Sequence, residues 1–308
     1  MFARVFRTGL KITLWLGAIV LAMLLLGIVY IVYVVNSFDT TTLPARYAQV
    51  DAKLYATPGA ARPLLVGLGG AEGGNSWTRD YWKAQRERFQ AQGYAFLAIG
   101  YFGTPTTPER LDRIALEGVM AAISEAQADP RVGGDCTILL GGSKGAELAL
   151  TLAAHHPQIN AVIALAPADT VFPAHTDAMT TSSWALNGEQ LVFAPMPWLA
   201  TLDLLSGNIG AVMERILAQD EAIAAAIAVE QIAGPILLVA ADRDEMWPAL
   251  RMAERIQQRL KRAGFAHPHE LVSVAGDHAE VIQHMPRVEE FLARVVAAQA
   301  GCAVPTAQ

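Results

Sequence analysis

Between residues 136 and 155 the chain runs without a break from an apolar stretch, Cys136–Gly141 (CTILLG), through Gly141-Gly142-Ser143-Lys144-Gly145, into a helical pattern ending at His155. A short apolar run of this kind reads as a buried strand, and the match to G-x-S-x-G at its end demands a sharp strand-to-helix turn. The flanking glycines let strand and helix approach closely. The turn then holds the Ser143 hydroxyl proud of the sheet, and the first helical amide, that of Lys144, points toward charge developing beside it. Few architectures accommodate such a junction.

The rest of the chain agrees with it. Apolar runs recur at 63–68 (PLLVGL), 94–100 (YAFLAIG), 159–166 (INAVIALA), 235–241 (PILLVAA) and 269–275 (HELVSVA), with helix-like stretches at about 77–92, 109–128, 143–155, 248–263 and 286–299. Alternation of this kind implies βαβ crossovers and a mostly parallel sheet covered by helices on both faces, that is, an α/β-hydrolase fold over residues 63–298. Residues 167–234 are too long for one crossover and read as a cap inserted at the carboxyl ends of the strands, where open α/β sheets bind ligands. The insertion holds Trp184, Phe193, Met196 and Trp198, then an Ala/Ile-rich helical pattern at about 209–229. Residues 37–62 form a connector with one strand-like stretch, Val50–Ala56, and 299–308 read as a disordered tail.

A serine hydroxyl is a poor nucleophile near neutral pH and needs a base held by an acid. In this fold the acid and then the base follow the serine along the chain. Asp242, Asp244 and Glu245 compete for the acid, just beyond the run 235–241. Asp244 is preferred because Asp242 stands nearer the strand end, where it can pair with Arg243, and because of the family resemblance given below. His278, in the glycine-containing loop after the last run, is the candidate base. The Gly69–Gly74 loop (GGAEGG) lacks the spacing of a phosphate cradle. It suits a second oxyanion donor, the amide of Ala71, with Gly70 as the alternative. Trp184, Trp198 and Trp247 are candidates for substrate contact.

Residues 12–35 carry no charge and measure about 36 Å as a helix, enough to cross a hydrocarbon core of about 30 Å. Trp15, Tyr30 and Tyr33 suit the two interfaces, and Arg4, Arg7 and Lys11 precede the span while only Asp39 and Arg46 follow closely. The expectation is an uncleaved anchor (residues 1–36), its N-terminus cytoplasmic and the remainder outside, with the lipid bilayer as a partner. The net charge of −6 offers no basic face for nucleic acid. The seven histidines lack metal-ligand spacing, so no metal is expected. Cys136 and Cys302 read as free thiols, since a bond would need the tail to reach the core. Oligomeric state is not legible.

Five stretches together resemble the C-terminal catalytic domain shared by acyl-CoA thioesterases and bile acid-CoA:amino acid N-acyltransferase. They are 69–74 (GGAEGG), 99–103 (IGYFG), 141–149 (GGSKGAELA), 229–232 (VEQI) and the run from 234–238 (GPILL) through Trp247-Pro248, with its D-x-x-W at Asp244–Trp247. They occur in the same order across about residues 62–298. The resemblance implies Ser143 as nucleophile, Asp244 as acid and His278 as base. Members with serine at the nucleophile are mainly hydrolases, so it implies acyl thioester hydrolysis without a cofactor. The connector is too short for the β-sandwich domain that eukaryotic members carry, and an apolar segment stands in its place. Ester hydrolysis of the dienelactone-hydrolase kind, acyl transfer to an acceptor, and an inactive binding protein on this scaffold are the competing expectations.

Overall fold

The computed structural model describes residues 2–299 and 301–304, with the side chains of 2–10, 134 and 135 outside the described set. The chain opens on α1 (Phe2–Ser37) and continues through β1 (Asp51–Tyr55), β2 (Arg62–Leu68), α2 (Lys83–Ala91) and β3 (Ala95–Gly100). Then come β4 (Ile114–Ala115), α3 (Leu116–Gln127), β5 (Val132–Gly142), α4 (Lys144–His155) and β6 (Ala161–Leu165). The inserted region holds β7 (Trp184–Leu186), β8 (Glu189–Gln190), α5 (Ala200–Leu205), α6 (Ile209–Leu217) and α7 (Glu221–Ala224). The chain closes with β9 (Ile236–Ala241), α8 (Ala249–Ala263), β10 (His269–Val274) and α9 (Met285–Phe291).

Among the described residues, seven strands form the main sheet in the order β1-β3-β2-β5-β6-β9-β10. Only β1 runs antiparallel to its neighbour, closing one edge against β3. Strands β3, β6 and β9 are buried at every residue, which is why they read as continuous apolar runs rather than alternating ones. Helix α8 instead turns one stripe inward, Met252, Ala253, Ile256 and Leu260, and leaves its charged residues outside. Each apolar run in the sequence is a strand of this sheet, and β5 and β9 bring Ser143 and Asp244 to the same edge.

Two helical expectations yield to tertiary pairing, and a third changes its winding. The pattern at 109–128 becomes helical only at Leu116, because Arg113 and Ile114 give their N–H groups to Ser182 and Ser183 carbonyls at 2.9 and 2.8 Å. That contact makes β4 a partner of β7 in a small second sheet with β8. The pattern at 209–229 breaks after α7. There the backbone of Ala225 and Ile227 bonds that of Val171 and Asp169, at 2.9 Å each. At 286–299, α9 ends at Phe291 and continues as a wide π-helical turn, Leu292–Val296.

The cysteines overturn the free-thiol expectation. Cys136 and Cys302 are joined by a disulfide, with their Cα atoms 5.0 Å apart. The tail does reach the core: Cys302 is fully buried and Val304 lies against Gly93 at the end of α2. Sequence distance concealed this, since 166 residues separate the two sulfurs along the chain while the sheet brings them together. Ala300 and residues 305–308 of the expected disordered tail lie outside the described residues.

Helix α1 stands apart from this core. Its stretch Lys11–Ser37 is long and apolar enough to cross a membrane by length and composition. Residues 11–30 are exposed throughout, whereas Ile31, Val34, Val35 and Phe38 are half-buried, one helical face turned onto the domain. Arg4 and Arg7, which weigh in the charge bias, have side chains outside the described residues.

Candidate active site

Strand β5 delivers Ser143 to the carboxyl edge of the sheet, and α4 begins at the next residue. The serine backbone sits at φ 53° and ψ −120°, a conformation that non-glycine residues avoid. It is held there by its own N–H, which donates to the Leu165 carbonyl at 2.8 Å. Gly141 and Gly145 make the turn sterically possible. A Cβ on Gly141 would fall on the Gly145 carbonyl, and one on Gly145 would fall on the carbonyls of Leu68 and Gly69. Such overdetermined strain concentrates at functional sites.

Beyond β9 the three candidate acids separate cleanly. The Nδ1–H of His278 donates to Asp244 Oδ2 at 2.7 Å. The other oxygen of Asp244 accepts from the N–H groups of Met246 and Trp247 at 3.0 and 3.1 Å. Its side chain is 2% exposed. Asp242 instead accepts from the Gly276 N–H at 3.0 Å and lies 3.5 Å from Arg243. Glu245 accepts from the backbone N–H of His278 at 3.0 Å, so it fixes the loop and not the ring. Only Asp244 orients the imidazole.

Two cavities meet at Ser143. One, of about 340 Å³, is bordered by Ser143, His278, Ala71, Glu72 and Met246. The other, of about 720 Å³, is bordered by Ser143, Lys144, Ala71, Trp247 and, from the cap, Leu204, Ile209, Val212 and Met213. Ala71 thus shares both cavities with Ser143. The loop that carries it lies directly on the serine, since a Cβ on Gly70 would stand 3.3 Å from that of Ser143. Lys144 opens α4, where its N–H has no intrahelical acceptor.

The three tryptophans part company. Trp247 is 4% exposed, borders the larger cavity, stacks on Phe172 and meets the His278 ring edge-on, centroids 5.5 and 5.9 Å away. Trp184 is fully buried and its indole N–H donates to Glu147 at 2.8 Å, which keeps it from the cavity walls described above. Trp198 is 61% exposed on the outside of the cap. The structure does not bring either of these two to Ser143.

Sequence reasoning missed the partner of Trp184. The Lys144 ammonium is buried, 2.7 Å from Glu147 and 2.8 Å from the Ser183 hydroxyl. Glu147, also fully buried, accepts from the Phe172 N–H at 3.0 Å with its other oxygen. Burial pushes the Glu147 carboxyl up and the Lys144 ammonium down, and each opposes the shift in the other. The pair ties the first turn of α4 to residues 172–184, which carry the walls of the larger cavity. The available signal was an i, i+3 Lys–Glu pair on a helix otherwise apolar all round. Among the described residues, no group of three or more His, Cys, Asp or Glu is arranged to hold a metal ion.

The family model described as "BAAT / Acyl-CoA thioester hydrolase C terminal" matches residues 115–296, more than half of the chain. The chain belongs to this family. It is 25% identical over 252 residues to acyl-coenzyme A amino acid N-acyltransferase 1 of Mus musculus, covering 75% of this chain and 56% of that protein. It is also 25% identical over 228 residues to acyl-coenzyme A thioesterase 6 of Homo sapiens, covering 73% of this chain and 51% of that protein. The chain therefore spans about half the length of the curated relatives it matches. Among solved structures, Pyrococcus horikoshii acylaminoacyl peptidase superposes with a TM-score of 0.57 at 15% identity, over 80% of this chain and 39% of that one. That likeness shows the α/β-hydrolase fold. In this member of the family, the S-K-G-x-E-L stretch supplies both the strained serine and the buried Lys144–Glu147 pair.

Proposed function

We propose that the protein is a membrane-anchored serine hydrolase that cleaves acyl thioesters, through Ser143, His278 and Asp244. The observation that carries the reading is the strained serine at a helix start, on a cavity shared with a histidine whose ring nitrogen is held by a buried carboxylate. Family membership supports thioester substrates. In the first step the Ser143 hydroxyl attacks the acyl carbonyl while His278 Nε2 takes its proton. Asp244 holds Nδ1–H and stabilises the imidazolium that results. The N–H groups of Lys144 and Ala71 receive the oxyanion. His278 then returns the proton to the departing thiolate. Water repeats the sequence in reverse on the acyl-serine and releases the acid. None of these steps calls for a cofactor.

The reading divides the chain into an anchor (1–36), a connector (37–62) and a catalytic domain (63–298) with a cap at about 167–234. Placement of the catalytic domain outside the cytoplasm is supported by the charge bias around α1 and by the Cys136–Cys302 disulfide, since such bonds persist in oxidising compartments. The test is a panel of acyl-CoAs, simpler acyl thioesters and oxygen esters, offered to the full chain in detergent with and without an amine acceptor. Saturable thioester turnover that an acceptor does not accelerate is expected. Turnover confined to oxygen esters, or product that appears only with acceptor, overturns thioester hydrolysis.

A further inference from the structure

We infer that the cap docks on the bilayer surface beside α1, and that the larger cavity takes its acyl chain from the membrane rather than from water. The inference rests on the hydrolase reading for its substrate, but the docking itself stands on three separate observations.

The first is where α1 ends. Tyr30, Ile31 and Val34, in its last two turns, border the same cavity of about 720 Å³ as Ser143. A helix that crosses a bilayer brings its final turns to the headgroup level, where tyrosines gather. The mouth of the cavity then lies at that level too.

The second is that α1 is not on a loose tether. The carbonyls of Asp39 and Thr40, just past its end, accept from the Arg113 guanidinium at 3.2 and 2.9 Å. Arg113 is 4% exposed and is itself gripped by both oxygens of Asp112, at 3.0 and 2.9 Å. Further on, the Tyr47 hydroxyl donates to Glu117 at 2.7 Å. A helix clamped in this way imposes its own orientation on the domain.

The third is an exposed surface on the cap at the same cavity. Residues 198–205, comprising α5 and the two residues before it, lie beside the cavity that Leu204 borders and are apolar except for Thr201 and for Asp203, which is paired with Arg215. Among them Trp198, Leu199, Leu202 and Leu205 are 61–73% exposed. A cluster of large side chains left open to water marks an interaction surface. The end of α1 borders the same cavity as Leu204, and the exposed, uncharged length of that helix identifies lipid as the occupant. Leu204, Ile209 and Val212 line the cavity that holds Ser143, an apolar wall along which an acyl chain can lie.

The test uses the full chain in phosphatidylcholine vesicles, with a single thiol introduced as Leu202→Cys and labelled with an environment-sensitive fluorophore. The native cysteines are bonded to each other, so only the new thiol reacts. Lys261→Cys, at the far end of α8, is the control. Lipids carrying a nitroxide near the headgroup should quench the label at 202 at least roughly twofold more than at 261, as expected of a side chain seated in the acyl boundary. Equal quenching at the two sites overturns the inference. A label at 202 that is shielded but unquenched points to a second protein chain on this face and overturns it as well. Separately, Leu202→Asp with Leu205→Asp should slow hydrolysis of a long-chain thioester in vesicles roughly tenfold, while a short, water-soluble thioester changes by less than about twofold. Equal losses on both substrates count against membrane entry. Because quenching is read without turnover, an inert Ser143 would sink the hydrolase reading and leave the docking intact.

Discussion

Glutamate 147 offers the sharpest test of how the site is held together. Its replacement by glutamine preserves size and leaves an oxygen to accept from the Phe172 and Trp184 N–H groups. It nevertheless strands the Lys144 ammonium, 2% exposed, with Ser183 as its remaining oxygen partner. Removing one member of a buried ion pair typically costs about 3–5 kcal/mol, because the other charge stays desolvated. For a domain of this size that corresponds to a fall of about 6–20 °C in unfolding temperature. The assay is thermal unfolding of the full chain in detergent, followed by tryptophan fluorescence. Adding Lys144→Met to Glu147→Gln removes the stranded charge while the glutamine oxygen still serves Phe172 and Trp184. The double variant should therefore recover about 2 kcal/mol or more relative to Glu147→Gln alone. A double variant as unstable as the two single effects summed would refute the pairing argument, as would a Glu147→Gln protein that melts with the wild type.

Two further outcomes rest on the loop after β9 and on the charge bias around α1. Asp244→Asn should lower turnover on the order of 10⁴-fold, because it unfixes the tautomer of His278, and Asp242→Asn should cost far less; the opposite ranking in steady-state kinetics would hand the acid role to Asp242. A reporter active only outside the cytoplasm, fused after Gln308, should be active, as the positive-inside bias requires; activity of a cytoplasm-only reporter at the same place would reverse the anchor.

How much of this was legible in the sequence divides by the range of the interaction. The six core strands and the elbow were legible because each is declared locally, by an unbroken apolar run or by glycines flanking a serine. The expectation of an acid and then a base after the serine rested on the order that this fold uses along the chain. The choice among Asp242, Asp244 and Glu245 was less secure, since three carboxylates within four residues differ only in where the loop turns them. The folded loop gives each a separate partner: Gly276, the His278 ring and the His278 amide. What stayed hidden depended on long-range contact. The disulfide needed the tail folded against β5, and the late start of α3 needed the backbone of Ser182 and Ser183. Trp184 looked like a substrate contact because an aromatic residue in a cap is ambiguous until its partner, here Glu147, is seen. The docking of α1 on the cavity was equally invisible, because residues 31, 34, 35 and 38 are no more apolar than the exposed ones around them.

The central claim is that Ser143 is the nucleophile, and intact mass spectrometry after treatment with a fluorophosphonate tests it most directly. The full chain in detergent should gain one phosphonyl group, mapped by digestion to the peptide containing Ser143, and lose its thioester turnover in step with labelling. Ser143→Ala should gain none, fold as the wild type does, and lose turnover on the order of 10³-fold or more. A wild-type protein that resists the reagent while turning over thioesters, or a Ser143→Ala variant that is still labelled and active, would contradict the account.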